Sequence, residues 1–230
     1  NCVREDLNVR VARAMAVVNP LKVVLVNWPE GEVEWLPAAN HPDQPEQGGR
    51  DLPFGRELWI EQDDFMEVAP KKFFRLQPGG EVRLRYGYII KCVEVIKDEA
   101  GRVTEVRCTY DPETRSGRSG AERKVKGTIH WVSAAHAAGA EVRLYDRLFA
   151  VPKPDAEEAD FKTFLNPESL RIETRARLEP ALAAVAPGTV VQFERLGYFV
   201  ADLVEHRPDR PVFNRVVTLR DSWAKLEVQT

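Results

Sequence analysis

Apolar and polar residues alternate with a period of two along several short segments of this chain. In segment 81–96, Val82 and Leu84 alternate with Arg83 and Arg85. This alternation places the apolar side chains on one face of a half-buried β-strand. Further strands are predicted at 21–27, 33–36, 57–61, 103–110, 124–131, 141–144, 170–178, 189–195, 198–204 and 212–219. The pattern predicts a mainly β protein.

Segments with helical spacing are few and short. Leu7, Val11 and Met15 recur at every fourth position, which predicts a helix over 4–15 that ends before Pro20. Shorter helical segments are predicted at 63–68, 156–164 and 180–186. The prolines and glycines of 37–53 and the polar residues of 111–123 predict loops.

Many short strands with turn signals between them favour β-barrels or a sandwich. The central block, from about residue 70 to residue 148, is basic and looks like an insertion into a domain made from both flanks. Segment 124–149 is predicted to be a strand, a helical turn and a second strand, at the junction of the two parts.

Composition narrows the class of protein. The formal net charge of −3 argues against a basic coat over the whole surface, but it leaves room for a local basic face. The three cysteines, Cys2, Cys92 and Cys108, are too few and too scattered for a disulfide framework or a zinc site. They favour a reducing, cytoplasmic setting. No apolar run approaches the length of a transmembrane helix, so no membrane partner is expected.

The usual sequence signatures of enzymes are missing: there is no G-x-S-x-G, H-E-x-x-H, P-loop or G-x-G-x-x-G motif. His130 and His136 could meet a metal ion across a turn, although two structural histidines are the simpler interpretation. The Asp63-Asp64 pair is interpreted as charge at the start of a helix. We therefore predict no catalytic residue, no metal site and no cofactor within this chain.

Basic and aromatic residues are interleaved in one part of the chain, and this is the stronger chemical signal. The residues are Lys71, Lys72, Phe73, Phe74, Arg75, Arg83, Arg85, Tyr86, Tyr88 and Lys91. Single-stranded RNA is bound by this mixture, because unpaired bases stack on planar side chains and arginine bonds their edges. Gln192, Glu194 and Arg195 are similar in kind, since an amide can match a base edge and a carboxylate can hold a guanidinium. Each segment taken alone is more often an ordinary exposed strand.

Longer motifs carry a family resemblance. They include RLQPGGEVRLRYGYIIK at 75–91, KVKGTIHWVSAAHA at 124–137, VRLYDRLFAVPKP at 142–154 and VQFERLGYF at 191–199. In these residues the chain resembles the C-terminal anticodon-binding region of the glutaminyl-tRNA synthetases, which are class I aminoacyl-tRNA synthetases. The resemblance covers nearly the whole chain in order.

The resemblance implies two tandem antiparallel β-barrels of the ribosomal-protein-like anticodon-binding fold, with few short helices and with the distal barrel inserted in the proximal one. The proximal barrel would comprise 13–69 and 149–225, and the distal barrel 70–148. Residues 1–12 would be the tail of a helical connector to a missing catalytic domain, and 226–230 a terminal extension.

The resemblance also implies an RNA site. Arg13, Gln192 and Arg195 would surround the central uracil of the anticodon, with Glu194 as their orienting group. Arg75 would face the third base, and Arg83 and Arg85 the first. Asn8 and the loop from Asn40 to Asp43 would support the RNA backbone. The chain departs from the family pattern at Lys72, Phe74 and Asp43, and a carboxylate at position 43 repels phosphate.

The partners implied are the anticodon loop of tRNA(Gln) and the enzyme's own N-terminal catalytic domain, without DNA. The HIGH-type and KMSKS-type signatures of the catalytic half are missing from this sequence. The parent enzyme would use ATP with Mg²⁺, while this chain would only recognise RNA. Two alternatives remain open: the archaeal and eukaryotic type of glutamyl-tRNA synthetase, which shares the barrels, and a stand-alone ribosomal-type RNA-binding barrel.

Overall fold

The computed structural model describes residues 2–156 and 158–219. Within these residues the chain forms two seven-stranded β-sheets and one two-stranded sheet. The α-helices described are α1, Cys2–Arg10, and α2, Pro180–Ala183. Short 3₁₀ segments lie at Pro45–Gln47, Gln62–Asp64, Pro112–Thr114, Ser119–Glu122, Pro154–Ala156 and Phe161–Phe164. The expectation of a mainly β fold with few short helices is confirmed.

One seven-stranded sheet, here called the N-terminal sheet, is built from strands between residues 20 and 133. Its strands, numbered along the whole chain, are β3 Pro20–Leu25, β6 Glu57–Glu61, β7 Glu81–Leu84, β8 Ile89–Lys97, β9 Val103–Asp111, β10 Thr128–Ile129 and β11 Val132–Ser133. Their order is β10-β7-β8-β9-β3-β6-β11. Aromatic side chains fill its core, where the Phe54 and Trp131 rings meet edge to face at 5.0 Å.

The other seven-stranded sheet, the C-terminal sheet, combines one early segment with strands between residues 138 and 218. Its strands are β1 Arg13–Ala14, β2 Ala16–Val17, β12 Ala138–Tyr145, β13 Leu170–Leu178, β14 Val190–Phe193, β15 Gly197–Ala201 and β16 Val212–Thr218. Their order is β1-β14-β15-β16-β12-β13-β2. The predicted alternation is visible in β12, where Ala140, Val142 and Leu144 are buried. The Phe193 and Phe199 rings stack in the core of this sheet, 4.1 Å apart.

Segment 14–18 lies between the two cores and serves both. Met15 and Val17 belong to the core of the N-terminal sheet, while Ala14, Ala16 and Val18 belong to that of the C-terminal sheet. Successive side chains of an extended chain point to opposite sides, so this extended segment is apolar on both faces. This segment fixes the two sheets against each other.

Several local predictions were wrong. The predicted helix over 4–15 ends at Arg10, because Arg13 and Ala14 pair with β14 instead. The predicted strand over 81–96 is two strands, β7 and β8, separated by a turn in which Tyr86 has φ 62°. Arg83 therefore lies in β7 and Arg85 in the turn. Residues 134–137 form a turn without a helix.

The segment 37–53, predicted as a loop, contains most of a hairpin. Strand β4, Glu34–Ala39, pairs antiparallel with β5, Gly49–Phe54, as a separate two-stranded sheet. The partner of β4 is therefore β5, while β3 pairs with β6 and β9.

The sheets group the strands differently from the predicted insertion. β3 and β6, assigned to the proximal barrel, are hydrogen-bonded in the same sheet as β7 to β9, assigned to the distal one. β12, which lies wholly within the predicted distal barrel, pairs with β13 and β16. The sheets are also mixed: β1–β14, β7–β10, β3–β9 and β12–β16 run parallel. How these sheets divide into domains stays a prediction, and 226–230 lies outside the described residues.

Candidate nucleic-acid interface

Arg13 and Gln192 lie side by side on the parallel strands β1 and β14. The backbone N–H of Gln192 donates to Ala12 O at 2.9 Å, which fixes the register. The Gln192 side chain is buried, and its Nε2 donates to the Tyr198 hydroxyl at 2.9 Å. Arg13 Nη2 donates to Asn8 Oδ1 at 3.2 Å, while its buried Nε has no partner among the described residues. A buried donor without a partner costs about 1–3 kcal/mol, so this position suits a ligand that brings an acceptor.

Asn8 and Asn40 connect the segments around Arg13 through hydrogen bonds. Asn8 Oδ1 accepts from both Arg13 and the Tyr198 hydroxyl, the latter at 3.3 Å. The Asn40 backbone O accepts from the N–H of Arg13 at 2.6 Å. His41 Nε2 lies 3.0 Å from the carbonyl of Asn8, and the backbone N–H of Asp43 donates to His41 Nδ1 at 3.2 Å. The structure thus brings Asn8, Arg13, Asn40, Asp43 and Gln192 into one region.

Arg195 occupies the turn between β14 and β15 with a left-handed backbone, φ 69°. Its guanidinium binds the Asp64 carboxylate in a bidentate manner, with N–O distances of 2.5 and 2.6 Å. Nη1 also donates to His130 Nδ1 at 3.0 Å. Asp64 is only 2% exposed, and a buried carboxylate needs such a partner. The turn is therefore held against the N-terminal sheet.

Arg75 approaches the same carboxylate from the other side. Its Nε lies 3.3 Å from Asp64 Oδ1, and its Nη1 donates to the backbone carbonyl of Asp63 at 2.8 Å. A cavity of about 120 Å³ opens here, lined by Glu61, Asp63, Asp64, Arg75, His130, Arg195 and Leu196. The two arginines predicted to face different bases are thus neighbours across one carboxylate.

Glu194 does not orient Arg195, which is a correction to the sequence-based expectation. Its buried carboxylate accepts from the Tyr86 hydroxyl at 2.8 Å and pairs with Arg85. The Arg85 guanidinium also lies over the Tyr86 ring, 5.0 Å from its centre. Burial raises the pKa of the Tyr86 hydroxyl, and the charge of Glu194 adds to this effect. Tyr86 therefore remains a donor at neutral pH.

Arg83 uses its guanidinium within the protein. It donates to the carbonyls of Thr114, Ala121 and Arg123, at 2.7, 3.0 and 2.9 Å. Burial lowers the pKa of this guanidinium, and the charge of Arg123 adds to the effect. In this conformation Arg83 organises the loop at 112–123.

Lys72 and Phe74 are exposed, and Phe74 lines a groove of about 290 Å³. Lys126 Nζ lies 5.8 Å from the centre of the Phe74 ring, and Lys124 also lines the groove. The close approach of the backbones fixes this wall, because a Cβ on Gly127 would come within 2.0 Å of the Phe74 carbonyl. The predicted mixture of aromatic and basic side chains is present on this surface.

Sequence reasoning missed Asp64 and Tyr198 as parts of the site. Asp64 had been interpreted as an exposed charge at a helix start, yet it lies at the end of a 3₁₀ turn and is buried. Its signal was the apolar Phe65 beside it, which is also buried.

His130 and His136 do not form a pair. His130 contacts Arg195 and lies 3.5 Å from Glu61, whereas His136 lies against Ser133 and the Trp35 ring. The structural interpretation of His130 is supported, since it lies between the two sheets. The described residues contain no cluster of three His, Cys, Asp or Glu side chains that could hold a metal ion. None of the helices described is long and apolar enough to cross a membrane.

Two family models match the chain, and both are described as the anticodon-binding domain of the class I tRNA synthetases for glutamate and glutamine. They match residues 11–111 and 128–202. The chain belongs to this family. The boundary between the two matches falls between β9 and β10, so the strands that form the site come from both matched segments.

Relatives of this anticodon-binding family agree with the resemblance seen in the sequence. The glutamine–tRNA ligase of Bradyrhizobium diazoefficiens is 56% identical over 97% of this chain. Those of Xanthomonas campestris and Nitrobacter winogradskyi are 57% and 58% identical over the same share. The resemblance to the C-terminal region of glutaminyl-tRNA synthetases is confirmed. The chain spans only about 40% of the length of these relatives.

Proposed function

We propose that this chain recognises the anticodon of tRNA(Gln) as the C-terminal part of a glutaminyl-tRNA synthetase. The single observation that carries the proposal is the Arg13–Gln192 pair, in which a buried Arg13 Nε lacks a partner among the described residues. An amide and a guanidinium held in one plane of strands can bond the donor and acceptor groups of a base edge. A uracil edge offers both kinds of group.

The second support is the availability of donors on Arg75 and Arg195. A guanidinium has five N–H groups. Arg195 directs three of them at Asp64 and His130, and Arg75 directs two at Asp64 and Asp63. Within the described part of the chain the remaining donors are not engaged, and both arginines line the open cavity. Guanidinium donors suit the O6 and N7 acceptors of guanine.

We retain Arg13, Arg75, Arg83, Arg85, Gln192, Glu194 and Arg195 as the proposed RNA-binding residues, with Asn8, Asn40, Asp43, Lys72 and Phe74 as supporting candidates. Arg83 and Glu194 act through the protein in this proposal. Arg83 shapes the loop at 112–123, and Glu194 positions Arg85 and Tyr86.

The complete enzyme would join glutamine to tRNA(Gln) in the cytoplasm, with ATP and Mg²⁺ bound by a catalytic domain N-terminal to this region. This chain would contribute specificity. A glutamate-specific enzyme is the second candidate, since the family models cover both amino acids. The glutamine–tRNA ligase relatives favour glutamine. A stand-alone ribosomal-type barrel is disfavoured, because the relatives are glutamine–tRNA ligases and this chain spans only about 40% of their length.

Binding of anticodon stem-loop RNAs to this chain tests the proposal. Two RNAs are compared that differ only in the central base, U or another base. Because a good side-chain-to-base contact is worth about 1–3 kcal/mol, Gln192→Ala should weaken binding of the U-containing RNA roughly 5- to 150-fold. Binding of the other RNA should change far less.

The control variant is Thr104→Ala, which alters an exposed polar side chain on β9. It should bind both RNAs like the unaltered chain. Equal losses for both RNAs in Gln192→Ala, or no preference for the central U in the unaltered chain, would refute the assignment of this site.

A further inference from the structure

We propose that Asp64 is a positioning residue for RNA recognition: its carboxylate holds Arg75 and Arg195 so that the two arginines read RNA as one unit. This inference rests on the proposed function. It adds to that function Asp64, which contacts no base, and a coupling between Arg75 and Arg195, which do contact bases in the proposal.

The carboxylate is shared in a specific geometry. Asp64 Oδ2 accepts from Arg195 Nη1, and Oδ1 accepts from Arg195 Nη2 while lying 3.3 Å from Arg75 Nε. Oδ1 therefore serves both guanidinium groups. Bidentate pairing fixes the plane of Arg195 as well as its position.

The backbone fixes Asp64 and Arg75 relative to each other. The N–H of Leu76 donates to the Asp64 carbonyl at 3.0 Å, and Phe65 and Leu76 form a parallel bridge. Arg195 comes from the other sheet, 131 residues away in the chain. The carboxylate is the point at which Arg75, from the segment before β7, meets Arg195, from the turn between β14 and β15.

A purely structural ion pair would not need the exposure seen here. Asp64 is 2% exposed, but the side chains of Arg195 and Arg75 are 28% and 44% exposed and line the same cavity. Arg195 also keeps a left-handed backbone, which is uncommon for a residue other than glycine and clusters at functional sites. The arrangement anchors one edge of each guanidinium and leaves the other open to a ligand.

The neighbouring charges give a matched control. Asp63 is exposed and contacts Arg75 only through its backbone carbonyl, so Asp63→Asn removes one negative charge without changing that contact. Asp64→Asn removes the same charge and replaces one of the two acceptor oxygens by an NH₂ donor, with little change in shape, so the side chain can no longer accept from Arg195 in a bidentate manner. A difference between the two variants therefore reports the contact and not the net charge.

The experiment measures binding of anticodon stem-loops altered at each anticodon position in turn. Arg75→Ala and Arg195→Ala first establish which positions each arginine discriminates. Asp64→Asn should lose discrimination at least tenfold at the positions affected by either arginine, whereas Asp63→Asn should stay within twofold of the unaltered chain. A role in stability alone would weaken all RNAs equally and lower the thermal midpoint.

Normal discrimination by a folded Asp64→Asn variant would overturn the inference. If that variant does not fold, a double-mutant cycle on the unaltered Asp64 decides. The fold-loss of discrimination in the Arg75→Ala, Arg195→Ala double variant should then be at least fivefold smaller than the product of the losses in the two single variants. A double-variant loss equal to that product would overturn the inference. If the unaltered chain itself shows no preference among the RNAs, the proposed function fails first.

Discussion

Tyr86 and Arg195 each reach from a turn of one sheet to a carboxylate beside the other. Both have a left-handed backbone, with φ 62° and 69°, and they are the non-glycine residues described with positive φ. Tyr86, in a turn of the N-terminal sheet, donates to Glu194 at the end of β14. Arg195, in a turn of the C-terminal sheet, binds Asp64 beside β6. Backbone strain of this kind persists where surrounding contacts require it, and here the contacts are reciprocal.

The first prediction concerns the contact between Tyr86 and Glu194. Tyr86→Phe removes the hydroxyl that donates to buried Glu194, while Arg85 still neutralises the carboxylate. Because hydrogen bonds to charged groups contribute about 1.5–3 kcal/mol, and one partner remains, the free energy of unfolding should fall by about 1–2 kcal/mol. Urea unfolding measures it. Tyr145→Phe, which alters a 46% exposed tyrosine, should change it by no more than about 0.5 kcal/mol. Equal effects of the two variants would contradict this role of Tyr86.

The second prediction concerns the loop at 112–123. Arg83→Lys replaces a guanidinium that donates to three carbonyls with an ammonium that cannot span them. Local opening should become easier by about 2 kcal/mol, or roughly 30-fold. Limited trypsin digestion should then cut faster at Arg115 and Arg118, as followed by mass spectrometry.

The matched control is Arg102→Lys, in the exposed turn between β8 and β9, where the partner is Asp98. Its digestion at the loop should equal that of the unaltered chain. An unchanged rate in Arg83→Lys would mean that Arg83 does not hold the loop and is available for RNA.

Sequence reasoning correctly predicted the strands in which tertiary contacts leave the alternation of apolar and polar residues undisturbed. β13 was predicted at the correct bounds, because one face of it is apolar throughout its buried end. The turn at Arg85–Tyr86 was missed because the apolar alternation of Val82 and Leu84 runs on without a break. The turn is closed locally by the bond from the Gly87 N–H to the Leu84 carbonyl at 2.9 Å, and the Tyr86 side chain contacts Glu194, 108 residues away.

The β4–β5 hairpin was missed for a different reason. Pro37 and Pro53 were interpreted as loop residues, yet each strand of a two-stranded sheet has one free edge that tolerates proline. The ion pair of Asp64 could not be predicted, because its partner Arg195 comes from the other sheet, 131 residues away in the chain. The predicted RNA-binding residues came from the resemblance, and sequence alone could not indicate which of them share a carboxylate.

The third prediction concerns acid stability. Asp202 accepts from the Asn214 amide at 2.7 Å and from the backbone N–H groups of Glu205 and Val204. These bonds lower the pKa of the Asp202 carboxyl to about 2, with Asn214 the largest contributor. A lowered folded-state pKa stabilises the protein above the unfolded value of about 3.9, and this contribution is lost as the pH falls towards 2.

Asp202→Asn should therefore cost up to about 2 kcal/mol at neutral pH, and the difference from the unaltered chain should shrink below about pH 4. Urea unfolding at a series of pH values measures it. The exposed Asp209→Asn serves as the control and should track the unaltered chain. If the free energy of unfolding of Asp202→Asn differs from that of the unaltered chain by a constant amount from neutral to acidic pH, the lowered pKa of Asp202 is contradicted.

The last prediction concerns the three thiols. Cys92 and Cys108 face each other on β8 and β9 and are buried, whereas Cys2 is exposed on α1. A hydrogen bond from Cys108 lowers the pKa of the Cys92 thiol, while the same contact and burial raise that of Cys108. Thiolate character favours reaction with disulfide reagents, but a reagent must also reach the sulfur. Burial should determine which thiols react. Cys2 alone should therefore react rapidly in the native chain, and all three thiols should react in concentrated guanidinium chloride.

Titration with a chromogenic disulfide at about pH 8 counts the reactive thiols. Cys2→Ser is the control that isolates the buried pair, and it should abolish the rapid phase without changing the slow one. The slow phase should follow opening of the β8–β9 ladder, because both sulfurs lie in the core of the N-terminal sheet. A rapid phase that persists in Cys2→Ser would mean that Cys92 is reached without unfolding, and that its lowered pKa, rather than its burial, governs its reactivity.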